Sequence, residues 1–141
     1  MRSVVMMSLL LCGVANAGPR DWASSATCGK CHPAELASWQ TTRHAMTRDR
    51  FAEKPPAKCL GCHGTGEAPA GPAVVEVGCE ACHGAGAAYA TDDLMRNAFA
   101  AKALGLADLS TPKARTAVCM TCHSRMTKKL DLSAPVHPVA K

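Results

Sequence analysis

The pattern of hydrophobic and polar positions near the start of the chain predicts a helix from Pro33 to about Phe51. Leu36 and Trp39 follow Pro33 at helical spacing. Proline suits the first turn because its missing N–H has no helical acceptor there. Two consecutive prolines at positions 55 and 56 then end the helix.

Capping residues predict two further helices. One covers residues 91–104, with Thr91 as its N-cap and Gly105 as its C-terminal stop. The other opens at Thr111-Pro112 and continues into a cysteine-containing segment.

The remaining segments are predicted to be loops. Residues 64–77 are rich in glycine and proline, with an extended stretch at Val74 and Val75, and the tail from Ser133 is predicted to be extended. No segment shows the strict alternation of a strand. The predicted fold class is therefore mostly α with long loops.

Residues 1–17 have the pattern of a cleaved signal peptide. Arg2 supplies the charged start, residues 4–11 form an apolar run, and Ala15-Asn16-Ala17 forms an A-x-A cleavage site. The run is too short to span a bilayer. We expect export to the periplasm and a mature domain of residues 18–141 with no membrane span.

The composition provides few large apolar side chains for an ordinary hydrophobic core. Two tryptophans, two phenylalanines and one tyrosine are the aromatic residues among 141, and aromatic side chains bury the most apolar area. The net charge is +5, but no basic run interleaved with aromatic residues accompanies it, which argues against nucleic-acid binding. We therefore expect a cofactor to occupy much of the interior of this small protein.

A pentapeptide, C-x-x-C-H, occurs four times and indicates what that cofactor is. The four copies are Cys28-Gly29-Lys30-Cys31-His32, Cys59-Leu60-Gly61-Cys62-His63, Cys79-Glu80-Ala81-Cys82-His83 and Cys119-Met120-Thr121-Cys122-His123. The chain has nine cysteines, and the ninth, Cys12, lies in the predicted signal peptide. The mature chain therefore has no cysteine outside the motifs.

This pentapeptide is the attachment signature of c-type haem. Residues three apart share one face of a helical turn, so both thiols can form thioethers along one porphyrin edge. The histidine that follows can then bind the iron from below. The sequence predicts four covalently bound haem c groups, with His32, His63, His83 and His123 as proximal ligands.

Three other interpretations of the cysteines were weighed. Cys59 to Gly66 and Cys79 to Gly86 fit the C-x-x-C-x-G-x-G pattern of DnaJ-type zinc modules, but the first and fourth motifs lack those glycines. A disulfide scaffold leaves the four histidines unexplained. Thioredoxin-like chemistry expects one C-x-x-C beside a βαβ unit. Haem attachment accounts for every motif.

Two of the six histidines, His44 and His137, lie outside the motifs. Histidine is the commonest metal ligand, so both are predicted to be distal ligands of haem iron. They can complete two irons at most, which leaves two irons without a histidine partner.

The stretch Cys28 to Met46 reads C-x-x-C-H-P-x-x-x-x-x-W-x-x-x-x-H-A-M, and Gly78 to Gly86 reads G-C-E-A-C-H-G-A-G. Both resemble the cytochrome c554 family of tetrahaem cytochromes. The resemblance implies a small, mostly helical fold organised around haems that are stacked or crossed in close pairs.

The resemblance also implies a ligand order. His44 would reach the haem on His83, His137 would serve the haem on His123, and the haem on His63 would be five-coordinate. The family commonly has a histidine soon after the third motif that serves the first haem, and this chain has none there. Four residues remain candidates for that position: Met46, Met95, Met126 and Tyr89.

The predicted function is electron transfer between redox protein partners, with no catalytic residue assigned. The alternative is a haem enzyme or sensor that binds nitric oxide or another small nitrogen or oxygen ligand at an open iron. A third possibility is a subunit of a larger multihaem assembly, in which a neighbour donates the missing ligands.

Overall fold

Short helices make up the fold across the residues that the structure describes, which are 21–51, 53, 55–66, 74–124, 136 and 137 of a computed structural model. The predicted signal peptide and most of the predicted extended tail lie outside these residues. The helices are α1 (Ser25–Gly29), α2 (Pro33–Gln40), a 3₁₀ helix (Ala45–Arg50), α3 (Ala57–His63), α4 (Cys79–His83), α5 (Asp92–Met95), α6 (Ala98–Ala103) and α7 (Pro112–His123). The prediction of a mostly helical chain with long loops is confirmed.

The first predicted helix begins at Pro33 but is shorter than expected. It ends at Gln40, because the hydroxyls of Thr41 and Thr42 donate to the carbonyls of Ser38 and Trp39, both at 2.7 Å. Such bonds compete with the helical ladder. The chain resumes as the 3₁₀ helix, so the prediction of one continuous helix to Phe51 was wrong.

The second predicted helix is divided in two. Asn97 interrupts it and caps α6, with its side-chain oxygen accepting from the Ala100 N–H at 3.1 Å. Thr91 occupies the N-cap position of α5 without a side-chain bond. Gly105 has φ 115°, a left-handed conformation that confirms it as the stop.

The third predicted helix is confirmed as α7. The Thr111 hydroxyl accepts from the Ala114 N–H at 3.2 Å, and Pro112 is the first helical residue. Within the predicted loop, Thr65 and Val74 form an isolated antiparallel bridge. The described part of the chain contains no strand longer than that bridge.

Buried side chains are few. Among the described residues the buried hydrophobic ones are Trp39, Val75, Ala85, Tyr89 and Ala101. Phe99, by contrast, is 85% exposed. The side chains described do not by themselves fill an interior, as the composition indicated.

The helices pack in a small number of pairs, which position the cysteine motifs. α1 contacts both α2 and α4, α3 contacts α7, and α5 contacts α6. At the α1–α2 contact a Cβ on Gly29 would overlap the side chain of Leu36, so glycine permits the close approach. Of the helices that the structure describes, none has the length and apolar character required to cross a bilayer.

Candidate functional site

Three of the four C-x-x-C-H motifs lie within helices. The second and fourth form the C-terminal parts of α3 and α7, and the third makes up the whole of α4. The first begins in α1, continues through a turn at Lys30 and Cys31, and ends at His32, the N-cap of α2. The helical turn that thioether attachment requires is therefore present at each motif.

No disulfide joins the eight cysteines of the motifs, and their surfaces are intermediate or exposed. A disulfide scaffold is therefore absent from the described residues. No three His, Cys, Asp or Glu side chains among those residues converge as a metal-binding cluster either. The geometry of the described residues thus favours neither a disulfide scaffold nor a zinc site.

The first and third motifs are joined where α1 packs against α4. The Ser25 hydroxyl accepts from the Cys79 N–H at 3.4 Å and donates to Glu76 Oε1 at 2.9 Å. A hydrogen bond between the Cys28 and Cys79 thiols lowers the pKa of Cys79 to about 6 and raises the pKa of Cys28. The attachment cysteines Cys28 and Cys79 of these two motifs are therefore neighbours.

Glu80, inside the third motif, stabilises the contact between α1 and α4. Its carboxylate accepts from the backbone N–H groups of Ala23 at 2.7 Å, Ser24 at 2.8 Å and Gly86 at 2.6 Å. Ala23 and Ser24 lead directly into α1, so one side chain holds the start of α1 against α4. The variable positions of a C-x-x-C-H motif carry no signal for such a role, and sequence reasoning missed it.

The second and fourth motifs are joined where α3 packs against α7. The Cys122 thiol donates to the Gly61 carbonyl at 3.8 Å. Burial, followed by the charges of Cys119 and Cys122, raises the pKa of Cys82. The helix contacts join the four motifs in two pairs, the first with the third and the second with the fourth.

Two histidine pairs link these motifs to the histidines outside them. The rings of His44 and His123 have centroids 6.0 Å apart, with planes at 65°. The rings of His83 and His137 have centroids 5.9 Å apart, with planes at 37°. Burial and then the charge of His123 lower the pKa of His44. Burial, followed by the charges of His137 and His32, lowers the pKa of His83.

This pairing of rings differs from the ligand order that the family resemblance implied. His44 lies beside the fourth motif rather than the third, and His137 beside the third rather than the fourth. The difference accompanies the break after Gln40: His44 is the N-cap residue of the 3₁₀ helix instead of continuing α2.

The ring beside His63 belongs to Phe51. Their centroids are 5.4 Å apart and their planes nearly perpendicular, at 83°. A phenyl ring has no atom that binds iron. The second motif therefore faces an aromatic ring where the third and fourth face a histidine.

Tyr89 is held as a structural residue. It is buried, and its hydroxyl donates to the carbonyls of Gly84 at 2.8 Å and His83 at 3.1 Å. Burial, followed by the charges of Cys28 and Glu80, raises its pKa to about 12, so the phenol stays protonated. Of the methionine candidates, Met46 is exposed, Met95 half-buried, and Met126 outside the described residues.

These features fit covalently attached haem. Each motif presents two thiols and a histidine within about one turn. An imidazole nitrogen binds a transition metal at about 2 Å, with the ring centroid roughly 1 Å behind, so two imidazoles across one ion have centroids about 6 Å apart. Both histidine pairs have this spacing.

Comparison with known proteins agrees with that fit. The model of the family described as cytochrome c554 and c-prime matches residues 27–84. No curated protein and no solved structure matches the chain. The matched segment contains the first three motifs, and it identifies a c-type cytochrome with covalently bound haem c. Residues 27–84 are therefore similar to the cytochrome c554 family.

Proposed function

We propose that this chain is an exported tetrahaem cytochrome that transfers electrons between redox proteins in the periplasm. The observation that carries the proposal is the pairing of its four motifs. Contacts of α1 with α4 and of α3 with α7 join them in two pairs. A chain so arranged would hold four redox centres as two close pairs.

Each motif would supply two thioethers and one proximal ligand. The thioether residues are Cys28, Cys31, Cys59, Cys62, Cys79, Cys82, Cys119 and Cys122, and the proximal ligands are His32, His63, His83 and His123. When bound, each haem iron supplies one-electron chemistry by alternating between ferric and ferrous states. The polypeptide contributes fixed positions, axial ligands and nearby charge.

His44 and His137 are proposed as distal ligands, paired with His123 and His83 respectively. The centroid spacings of 6.0 and 5.9 Å support both assignments. The backbone around His44 is held in place, because its carbonyl accepts from the Thr47 hydroxyl at 2.6 Å and the Val77 N–H at 3.1 Å. Two histidines on one iron favour the low-spin state, which changes little on electron transfer.

A haem count combined with a redox titration tests the proposed function. Mass spectrometry of the purified protein should show four covalently bound haems on a chain that begins after Ala17. Reductive titration should then consume four electrons per chain. A count below four, or haems that exchange no electrons with a mediator, would contradict the proposal.

A second candidate function is binding or reduction of nitric oxide or a related small ligand at an open iron. It is favoured by the Phe51 ring beside His63, which offers no ligand atom. Six histidines also leave the irons at His32 and His63 without a histidine partner in this chain. Electron paramagnetic resonance of the oxidised protein decides this: a high-spin signal abolished by nitric oxide supports an open iron, and low-spin signals alone exclude it.

A larger assembly is the remaining proposal for the missing ligands. A neighbouring subunit could complete the irons at His32 and His63. Gel filtration of the holoprotein, with spin state measured on the monomer fraction, tests this. A monomer with the same proportion of low-spin iron as the assembly would rule out donated ligands.

A further inference from the structure

Of the residues that the structure describes, Glu80 is the one with a charged side chain that is buried, and 2% of its surface is exposed. Its partners are three backbone N–H groups, and it takes part in neither of the ion pairs found in the described part of the chain, Arg96–Asp92 and Lys102–Asp108. Three donors require acceptors at both oxygens, which an ionised carboxylate provides. Neutral donors hold the carboxylate without cancelling its charge.

This charge lies close to two attachment motifs, the first and the third. Glu80 lies between Cys79 and Cys82 of the third motif, and its hydrogen bonds reach the two residues before α1. The carboxylate is also close to the first motif, because Ala23 and Ser24 lead directly into α1, which contains Cys28. One buried charge therefore acts on both motifs.

The charges around the two motif pairs differ in sign. Glu76, which is half-buried, also lies at the contact of α1 with α4, where its Oε1 accepts from the Ser25 hydroxyl. α3 and α7 carry Lys58, Lys113 and Arg115, and the motifs there contain no acidic residue. Lys30 in the first motif is exposed, so water screens it more than it screens Glu80.

We propose that Glu80, with Glu76 beside it, holds the haems of the first and third motifs at lower reduction potentials than those of the second and fourth. This rests on the proposed tetrahaem carrier. A nearby negative charge opposes the addition of an electron to iron, and burial strengthens that effect because few water dipoles screen it. Electrons would then enter at the first and third motifs and collect at the second and fourth.

Glu80→Gln tests the charge while keeping the shape of the side chain. Redox titration of the holoprotein, resolved haem by haem through the NMR signals of the haem methyl groups, should show higher midpoint potentials for the first and third haems only. Glu53→Gln, which removes the same charge from an exposed position, is the matched control and should shift neither. Unchanged potentials in Glu80→Gln would overturn the proposal.

Glu80→Asp separates the charge from the hydrogen bonds. Its carboxylate is too short to reach all three N–H groups, so the protein should lose stability while the first and third haems keep potentials close to the parent. Potentials that rise as far as in Glu80→Gln would assign the effect to structure and overturn the proposal.

A count of four haems is required before each titration, which keeps failure of the tetrahaem function distinct from failure of this inference. If Glu80→Gln does not retain four haems, the same titration is made on Glu76→Gln. This substitution disturbs the structure less, because the Glu76 carboxylate accepts a single side-chain hydrogen bond, from Ser25. A rise at the first and third haems supports the proposal, and no rise overturns it.

Discussion

The imidazole of His44 lies beside that of His123, with 6.0 Å between ring centroids, although the second and third motifs separate them along the chain. Two hydrogen bonds to its carbonyl fix the His44 backbone, one from Thr47 and one from Val77. Val77 leads into the third motif. His44, the proposed distal ligand of the fourth haem, is thus hydrogen-bonded through its backbone to the segment that leads into the third motif.

His44→Ala should convert one low-spin haem, the one on His123, to high-spin. The reason is the loss of the second axial imidazole from that iron. Electron paramagnetic resonance of the oxidised protein measures the change, and His137→Ala should give a separate conversion at the haem on His83.

A chain that lacks the fourth haem provides the control for this pairing. In Cys119→Ala/Cys122→Ala, adding His44→Ala should produce no further high-spin signal. A new signal in that background would show that His44 serves another haem, such as the one on His83 that the family resemblance implied.

Trp39→Phe should lower the free energy of unfolding by about 1–3 kcal/mol, because it leaves the Val77 carbonyl without its donor. The Trp39 indole N–H donates to that carbonyl at 2.9 Å from a buried position. Denaturant titration followed by circular dichroism measures the loss. Trp22→Phe, at a half-buried site where no indole hydrogen bond is found among the described residues, is the control and should cost less.

Tyr89→Phe should cost about 0.5–1.5 kcal/mol of stability through loss of the bonds to two carbonyls. The proportions of high-spin and low-spin iron should stay the same, since the hydroxyl points to the His83 and Gly84 carbonyls. A change of spin state would make Tyr89 an iron ligand after all.

Ser24→Gly should stabilise the protein by about 1 kcal/mol. Ser24 has φ 95° and ψ 150°, a region that only glycine adopts without strain. Relief of strain outweighs the smaller losses of the N-cap bond and of chain entropy, by about this amount. Ser24→Ala loses the cap and keeps the strain, so it should instead destabilise; equal effects of the two variants would show that strain is unimportant here.

The sequence predicted the parts of this protein that depend on local spacing. The helical turns of the motifs, the start of α2 at Pro33 and the cap of α7 at Thr111 all follow from residues within one turn of each other. The break after Gln40 was missed because two consecutive threonine hydroxyls compete with the backbone, an effect weaker than the prolines further on.

Contacts between distant segments could not be predicted in the same way. The placement of His44 beside His123 depends on how α7 folds back over the chain, and spacing along the sequence contains no such information. Analogy with the family supplied a ligand order, and the neighbouring rings differ from it. Glu80 was missed for a related reason: its three donors come from two segments, and its motif position tolerates any residue.

The contact between the Cys28 and Cys79 thiols bears on how the protein matures. In an oxidising compartment, two neighbouring thiols, one of them with a lowered pKa, are suited to disulfide formation. A Cys28–Cys79 disulfide would consume one cysteine from each of two attachment motifs at once. Haem attachment would therefore compete with a crosslink at these two motifs, and the proposed attachment requires both thiols to stay reduced until the thioethers form.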